Sequence, residues 1–290
     1  MRYRRVRSLP ALLLLTLLAG GCSDHEEPQT AALLAPPPTD EVYGIVLPFD
    51  SYELSLQETH RDSAARDELI RRCLEKKGHD WPVIEYPEGM PDPKNRRRYG
   101  VIEKAVAEKL GYHPSPGMTG SRDVVEQRQE RDKSLSAAAF KMVYDEKDGC
   151  GKKASDYLVR NGGRADYELF RRLNAEILEE ARKQPEVEKA SRAWSSCMAK
   201  RGFNYRSPAD AMADQQWWSD DSDRASSAEI KTATADVDCQ DDSSLITVLY
   251  KTETRLQQEA VTEHRSYFDS LRRAKEINIS NVRVVLRSMG

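Results

Sequence analysis

Five cysteines have the clearest chemical potential in this sequence of 290 residues. Cys22 stands alone near the N-terminus, and the other four are far apart, at Cys73, Cys150, Cys197 and Cys239. The sequence contains no Cys-x-x-Cys pair, the spacing that redox centres and many zinc sites use. These cysteines therefore predict disulfides and one modified thiol, and no metal site.

The N-terminus has the layout of an export signal. Four arginines among the first seven residues precede an apolar run from Leu9 to Leu18. That run is about half of the roughly 20 residues that a membrane-spanning helix needs. Cys22 directly follows Ala19-Gly20-Gly21, which resembles the bacterial lipobox, where the cysteine thiol receives a diacylglyceryl group and the signal is cut before it. We predict a signal peptide over 1–21 and a lipid anchor on Cys22, which would place the chain on the extracellular face of the cell membrane. A soluble secreted protein is the alternative.

A short pattern occurs twice in the chain. It reads Cys73-Leu-Glu-Lys-Lys-Gly78 and Cys197-Met-Ala-Lys-Arg-Gly202, each followed by an aromatic ring and by Asp or Asn. Basic residues before a glycine are typical of the C-terminal end of a helix. Each cysteine should therefore lie on a buried helix face, about one turn before the helix ends.

The repeated pattern also bears on the disulfides. Four cysteines in an exported chain suggest two disulfides, for which three pairings exist. If the two patterns mark related halves, Cys73 pairs with Cys150 and Cys197 pairs with Cys239. The crossed pairings remain alternatives.

Tryptophans beside carboxylates form a candidate ligand platform. Trp217 and Trp218 precede Asp220 and Asp221, and Trp81 follows an aspartate. Exposed aromatic rings next to carboxylates can stack on sugars and bind their hydroxyl groups. Packing of the rings at helix ends is the simpler interpretation.

Other titratable residues indicate no chemistry of their own. Asp236, Asp238 and Asp242 fit a solvated helix face or, equally, a site that repels wrong partners, and we interpret the histidines as surface residues. Those histidines are His25, His60, His79, His113 and His264. Hydrolase, zinc-protease and phosphate-loop motifs are missing from the sequence, so we predict no catalytic residue and no cofactor.

The charge balance disfavours nucleic acid as a partner. The chain has 45 basic and 48 acidic residues and a formal charge of −3. A mildly acidic protein repels phosphate backbones on average. The triplet Arg96-Arg97-Arg98 is interpreted as a solvated loop.

Apolar periodicity and capping residues predict an all-α fold. Helices are expected over 63–77, 99–110, 122–131, 134–144, 150–160, 165–183, 185–201 and 277–286, with a short helix between Ser207 and Trp218 and another that starts at Ser226 or Ser227. The steps of 4 and 7 between apolar residues over 245–271 predict a long helix of about 30 residues. The predicted architecture is a disulfide-stapled helical domain of two related halves, 41–162 and 163–290, after the signal peptide and a disordered, proline-containing tether over 22–40.

Several motifs occur in a characteristic order. They are Tyr43-Gly-Ile-Val-Leu-Pro-Phe-Asp-Ser-Tyr52, the two cysteine patterns, Arg98-Tyr99-Gly100, Gly111-Tyr112, Asp148-Gly149-Cys150 and Ala235-Asp-Val-Asp-Cys239. Together they resemble uncharacterised lipoproteins of actinobacteria over nearly the whole mature chain. The resemblance implies an exported, lipid-anchored, disulfide-bonded helical protein, and it implies no catalytic residues.

These observations favour a binding role. We expect a lipid-anchored extracytoplasmic protein that binds a cell-envelope component or a protein partner without catalysis. An enzyme that cleaves cell-wall glycan or peptide, with acids near Trp217 as its centre, is the alternative, and a structural spacer is a third hypothesis. A pocket with two facing carboxylates would favour the enzyme.

Overall fold

The computed structural model describes residues 34–89, 91–115, 118, 122–219 and 224–289, which belong to one compact unit. This part of the chain forms twelve α-helices and no strand, which confirms the all-α prediction. The helices are α1 Asp40–Gly44, α2 Leu56–Glu75, α3 Lys104–Leu110, α4 Arg122–Ser134, α5 Ala137–Tyr144, α6 Cys150–Leu158, α7 Glu168–Arg182, α8 Pro185–Lys200, α9 Pro208–Met212, α10 Ser227–Ser243, α11 Leu245–Glu263 and α12 Arg265–Arg287. Short 3-10 helices lie at Pro48–Tyr52, Arg160–Gly162 and Gln215–Trp217.

Both predicted disulfides are present. Cys73 of α2 is bonded to Cys150 of α6, with 5.8 Å between their Cα atoms. Cys197 of α8 is bonded to Cys239 of α10, with 5.7 Å between their Cα atoms. Each disulfide therefore joins two neighbouring helices within one of the predicted halves.

The two cysteine patterns end their helices in the same way. Gly78 has φ +75° and Gly202 has φ +93°, a left-handed backbone that glycine adopts without strain. The amide after each glycine bonds back to the fifth residue before it: His79 N to Leu74 O at 3.1 Å, and Phe203 N to Met198 O at 2.9 Å. This bond and the preceding glycine bond are the Schellman ending predicted from the sequence.

Several predicted helix bounds are wrong, and the helix predicted over 277–286 is the C-terminal part of α12. Helix α2 begins at Leu56 and not at 63, because Ser55 caps it: Ser55 Oγ accepts from the Glu58 amide and the Glu58 carboxylate accepts from the Ser55 amide. Helix α3 begins only at Lys104. The long helix over 245–271 is two helices that meet at His264, whose ψ of +34° departs from helical geometry.

Helices of the two predicted halves pack against each other. Helix α2 packs on both α6 and α12, and α3 packs on α10. The largest apolar cluster contains Tyr112 from the first half and Trp194 from the second, both without solvent exposure. The core is therefore shared between the halves.

The C-terminal end of the predicted tether lies on the folded part. The Ala35 amide donates to Ser115 Oγ at 3.0 Å, Arg96 donates to the Pro36 carbonyl at 2.6 Å, and the Thr39 amide donates to Glu103 Oε1 at 3.0 Å. The predicted tether over 22–40 therefore extends too far at its C-terminal end. The predicted signal peptide and Cys22 lie outside the described residues, among which no helix is long and apolar enough to cross a membrane.

Candidate functional site

The structure does not form the predicted aromatic platform. Trp81 and Trp217 are only 4% and 6% exposed, and each indole N–H is used internally, by Asp67 Oδ1 at 3.2 Å and by the Ala211 carbonyl at 2.8 Å. Trp81 also lies in a different apolar cluster from Trp217. Trp218 alone is exposed, against the ring of His113, and Asp220 and Asp221 lie outside the described residues. The helix-end packing interpretation fits Trp81 and Trp217.

The strongest candidate site is a partly enclosed cavity of about 270 Å³ between the segment 97–101 and helices α8 to α11. Its lining combines apolar side chains with polar ones, which include three arginines. The apolar side chains include Val101, Val187, Met212, Leu245, Ile246 and Leu249, and the polar ones are Arg97, Arg98, Arg182, Tyr112, Ser191, Ser207 and Asp236. An apolar pocket with a few converging polar groups is the usual form of a small-molecule site.

The arginine triplet beside this cavity is not a solvated loop, which corrects the sequence interpretation. Arg96 is 3% exposed and donates to Glu103 Oε2 at 2.6 Å. Arg98 is paired with Glu253, a carboxylate with no solvent exposure. Two of the three guanidinium groups are therefore neutralised by buried acids, and they connect distant segments of the fold.

Arg97 differs from its two neighbours. Its guanidinium is half-buried and donates to the Tyr112 carbonyl at 2.9 Å. Its other contacts are the sulfur atoms of Met118 at 3.7 Å and Met212 at 3.6 Å. Burial and, to a lesser extent, the nearby Arg96 charge lower the pKa of Arg97, and no carboxylate of the described residues forms an ion pair with it. A guanidinium remains charged at physiological pH, so Arg97 brings to the cavity a positive charge that no ion pair among the described residues neutralises.

Asp236 forms the buried acidic end of the cavity, and its prediction as a solvated residue is wrong. It is 1% exposed and accepts from Trp194 Nε1 at 2.9 Å, Gln240 Nε2 at 2.7 Å and Tyr112 Oη at 3.1 Å. Burial raises the pKa of Asp236 to about 6, although the three donors oppose this shift. Both carboxylate oxygens already have protein donors.

Comparison of the chain with models of protein families, with curated proteins and with solved structures gives no match. The function of this site is therefore to be inferred from its own residues and their contacts.

A second hollow of about 530 Å³ contains two carboxylates, those of Asp50 and Asp92. Asp50 Oδ2 accepts from the Leu47 amide at 2.8 Å, and Asp92 Oδ2 accepts from the Leu56 amide at 2.8 Å. Each therefore holds the backbone at the start of a helical segment, and their oxygens serve as structural acceptors.

Two histidines predicted at the surface are buried. His60 Nδ1 lies 3.0 Å from the Pro87 carbonyl, and His113 Nδ1 lies 2.8 Å from Glu229 Oε1. Glu229 is also buried and accepts from the Tyr112 amide at 2.7 Å, so this pair holds the segment beside the cavity. Among the described residues, no group of three His, Cys, Asp or Glu side chains is arranged to hold a metal ion.

Proposed function

We propose that the chain is a lipid-anchored extracytoplasmic binding protein that holds a small amphipathic carboxylate in the cavity behind Arg97. The observation that carries this proposal is the half-buried Arg97 guanidinium, which faces an apolar cavity without an acidic partner among the described residues. Its extracytoplasmic location rests on the arrangement of the N-terminal sequence around Cys22.

The charges around the cavity support an anionic ligand. Arg98 is already neutralised by Glu253, Arg182 is paired with Glu179, and Asp236 is held by three hydrogen-bond donors. Arg97 is therefore the arginine of the lining that has no ion pair among the described residues, and guanidinium groups bind carboxylates through two parallel hydrogen bonds.

The shape of the cavity supports a small ligand with an apolar body. Val101, Leu245 and Leu249 in its lining offer aliphatic contacts. A protein cavity of about 150 Å³ accommodates benzene, and this one is about 270 Å³. Its size therefore suits a short-chain or monocyclic carboxylate such as hexanoate or benzoate.

The alternative, hydrolysis of cell-wall glycan, requires two carboxyl groups that face each other across the substrate. The cavity lining contains Asp236 as its carboxylate, and the pair Asp50 and Asp92 in the second hollow caps backbone amides. No arrangement among the described residues favours this enzyme over the binding role.

The test is calorimetric titration of the protein with hexanoate and benzoate, with hexanol as the uncharged analogue. We expect saturable binding of the carboxylates and none of hexanol. Arg97→Gln should weaken binding at least about tenfold, because a hydrogen bond to a charged group is worth about 1.5–3 kcal/mol. The matched control is Arg192→Gln, at an exposed arginine of α8 that pairs with Glu188.

Thermal unfolding of both variants establishes that they are folded. Equal affinity of Arg97→Gln and the unaltered protein for the carboxylates, or no saturable binding of either carboxylate, would overturn the proposal.

A further inference from the structure

A groove of about 500 Å³ runs between α2 and α12, on a different part of the molecule from the cavity. Three arginines form its polar lining: Arg61 from α2, and Arg283 and Arg287, which are one turn apart on α12. Its apolar lining consists of Ile279, Val282 and Leu286. The groove thus combines positive charge with an aliphatic surface.

The three arginines are exposed and have no carboxylate partner among the described residues. Glu58, the one acid in the lining, is already bound to Lys275 at 3.0 Å and to the Ser55 amide at 2.8 Å. The groove is therefore complementary to an anion that can contact more than one guanidinium, as a phosphate group does.

Exposed apolar side chains also occur on this part of the surface. A neighbouring hollow shares Arg61 and Leu286 with the groove and is also lined by Val83 and Met289, which are 66% and 51% exposed. Val284, 52% exposed, lies next to Arg283 on α12. Arginines beside exposed aliphatic side chains are typical of surfaces that rest at a lipid–water interface.

We propose that the groove between α2 and α12 binds the phosphodiester headgroup of an anionic membrane lipid. The phosphate contacts Arg61, Arg283 and Arg287. The exposed aliphatic side chains then face the acyl region, which favours a lipid over a free phosphodiester. This contact orients the folded part on the membrane and is independent of ligand binding in the cavity.

The experiment is sedimentation of the full chain carrying Cys22→Ser with vesicles, so that no acyl anchor contributes. Vesicles of phosphatidylglycerol and phosphatidylcholine in equal parts should bind the protein, and vesicles of phosphatidylcholine alone should not. The triple variant R61Q/R283Q/R287Q should bind about one hundredfold more weakly, because each basic residue near an anionic surface contributes a several-fold gain. The matched control is R171Q/R172Q/K189Q, which removes three exposed positive charges from α7 and α8.

Further measurements distinguish a membrane lipid from a free phosphate compound and the groove from the cavity. Millimolar glycerol 3-phosphate should leave the protein on the vesicles, and Arg97→Gln should leave vesicle binding unchanged.

Equal loss of binding in the groove and control variants would overturn the proposal, as would equal sedimentation with both vesicle types. Full release by glycerol 3-phosphate would also overturn it, since a free phosphate compound would then be sufficient.

Discussion

Trp194 donates its indole N–H to Asp236 Oδ1 at 2.9 Å, and both side chains are almost completely buried. The bond joins α8 to α10 beside the Cys197–Cys239 disulfide, and Tyr112 adds a third segment through its hydroxyl. A buried carboxylate with donors from different segments favours one relative arrangement of those segments, because any other leaves it without partners. This network therefore positions the acidic end of the cavity.

Asp236 should make stability depend on pH. Burial raises its pKa from 3.8 to about 6, so the folded state holds this proton more tightly than the unfolded state. The resulting stabilisation is complete below about pH 4 and is lost as the pH rises through 6. Relative to Asp236→Asn, the native protein should lose about 2 kcal/mol of unfolding free energy between pH 4 and 7. Urea unfolding of both proteins across this pH range measures this difference in unfolding free energy. Parallel pH profiles of the two proteins would contradict the prediction.

The buried pair Arg98 and Glu253 should be sensitive to loss of one charge. Glu253 has no solvent exposure and also accepts from Tyr99 Oη at 2.8 Å. Glu253→Gln should lower the unfolding free energy by about 3 kcal/mol, because it leaves a mostly buried guanidinium unpaired. The control Glu130→Gln, at an exposed pair with Lys133, should cost less than about 1 kcal/mol.

The double variant R98M/E253L extends this test. It removes both charges and should recover part of the loss, since apolar side chains can replace a buried ion pair. Urea denaturation compares all three variants. A loss in Glu253→Gln no larger than that in Glu130→Gln would show that the pair is not important for stability.

Local features could be predicted from the sequence. The two cysteine patterns, with their glycines Gly78 and Gly202, indicate helix ends within a few residues. The repetition of this pattern also predicts the disulfide pairing. The capping box of Ser55 and Glu58 is also a recognisable sequence pattern. It marks the true start of α2 at Leu56. The break at His264 has no glycine or proline to mark it.

The cavity could not be predicted, because its polar groups meet over long distances in sequence. Tyr112 contacts Asp236 across 124 residues, and Arg98 contacts Glu253 across 155. An arginine or aspartate in isolation is expected at the surface, and only tertiary packing buries it. Arg97 is flanked by two other arginines, so its sequence context does not distinguish it from its paired neighbours.

The lipid anchor can be tested by removal of one thiol. Cys22→Ser should move the protein from the membrane fraction to the medium, because acyl chains provide the strong membrane attachment. Washing at high salt removes contacts that depend on the groove arginines. Ser23→Ala is the matched control and should stay in the membrane fraction. Retention of the Cys22→Ser chain after the high-salt wash would count against the anchor.

The two disulfides should each contribute to stability by a similar amount. They join residues 77 and 42 positions apart. Cross-links of this span lower the conformational entropy of the unfolded chain, which stabilises the folded state by about 4 kcal/mol each. C73A/C150A and C197A/C239A should therefore lower the unfolding free energy by amounts within about 1 kcal/mol of each other, whereas Cys22→Ala should not change it. Peptide mapping without reductant checks the pairing independently. A peptide that links Cys73 to Cys197 or Cys239 would refute the arrangement, since it would require α2 to lie against α8 or α10 instead of α6.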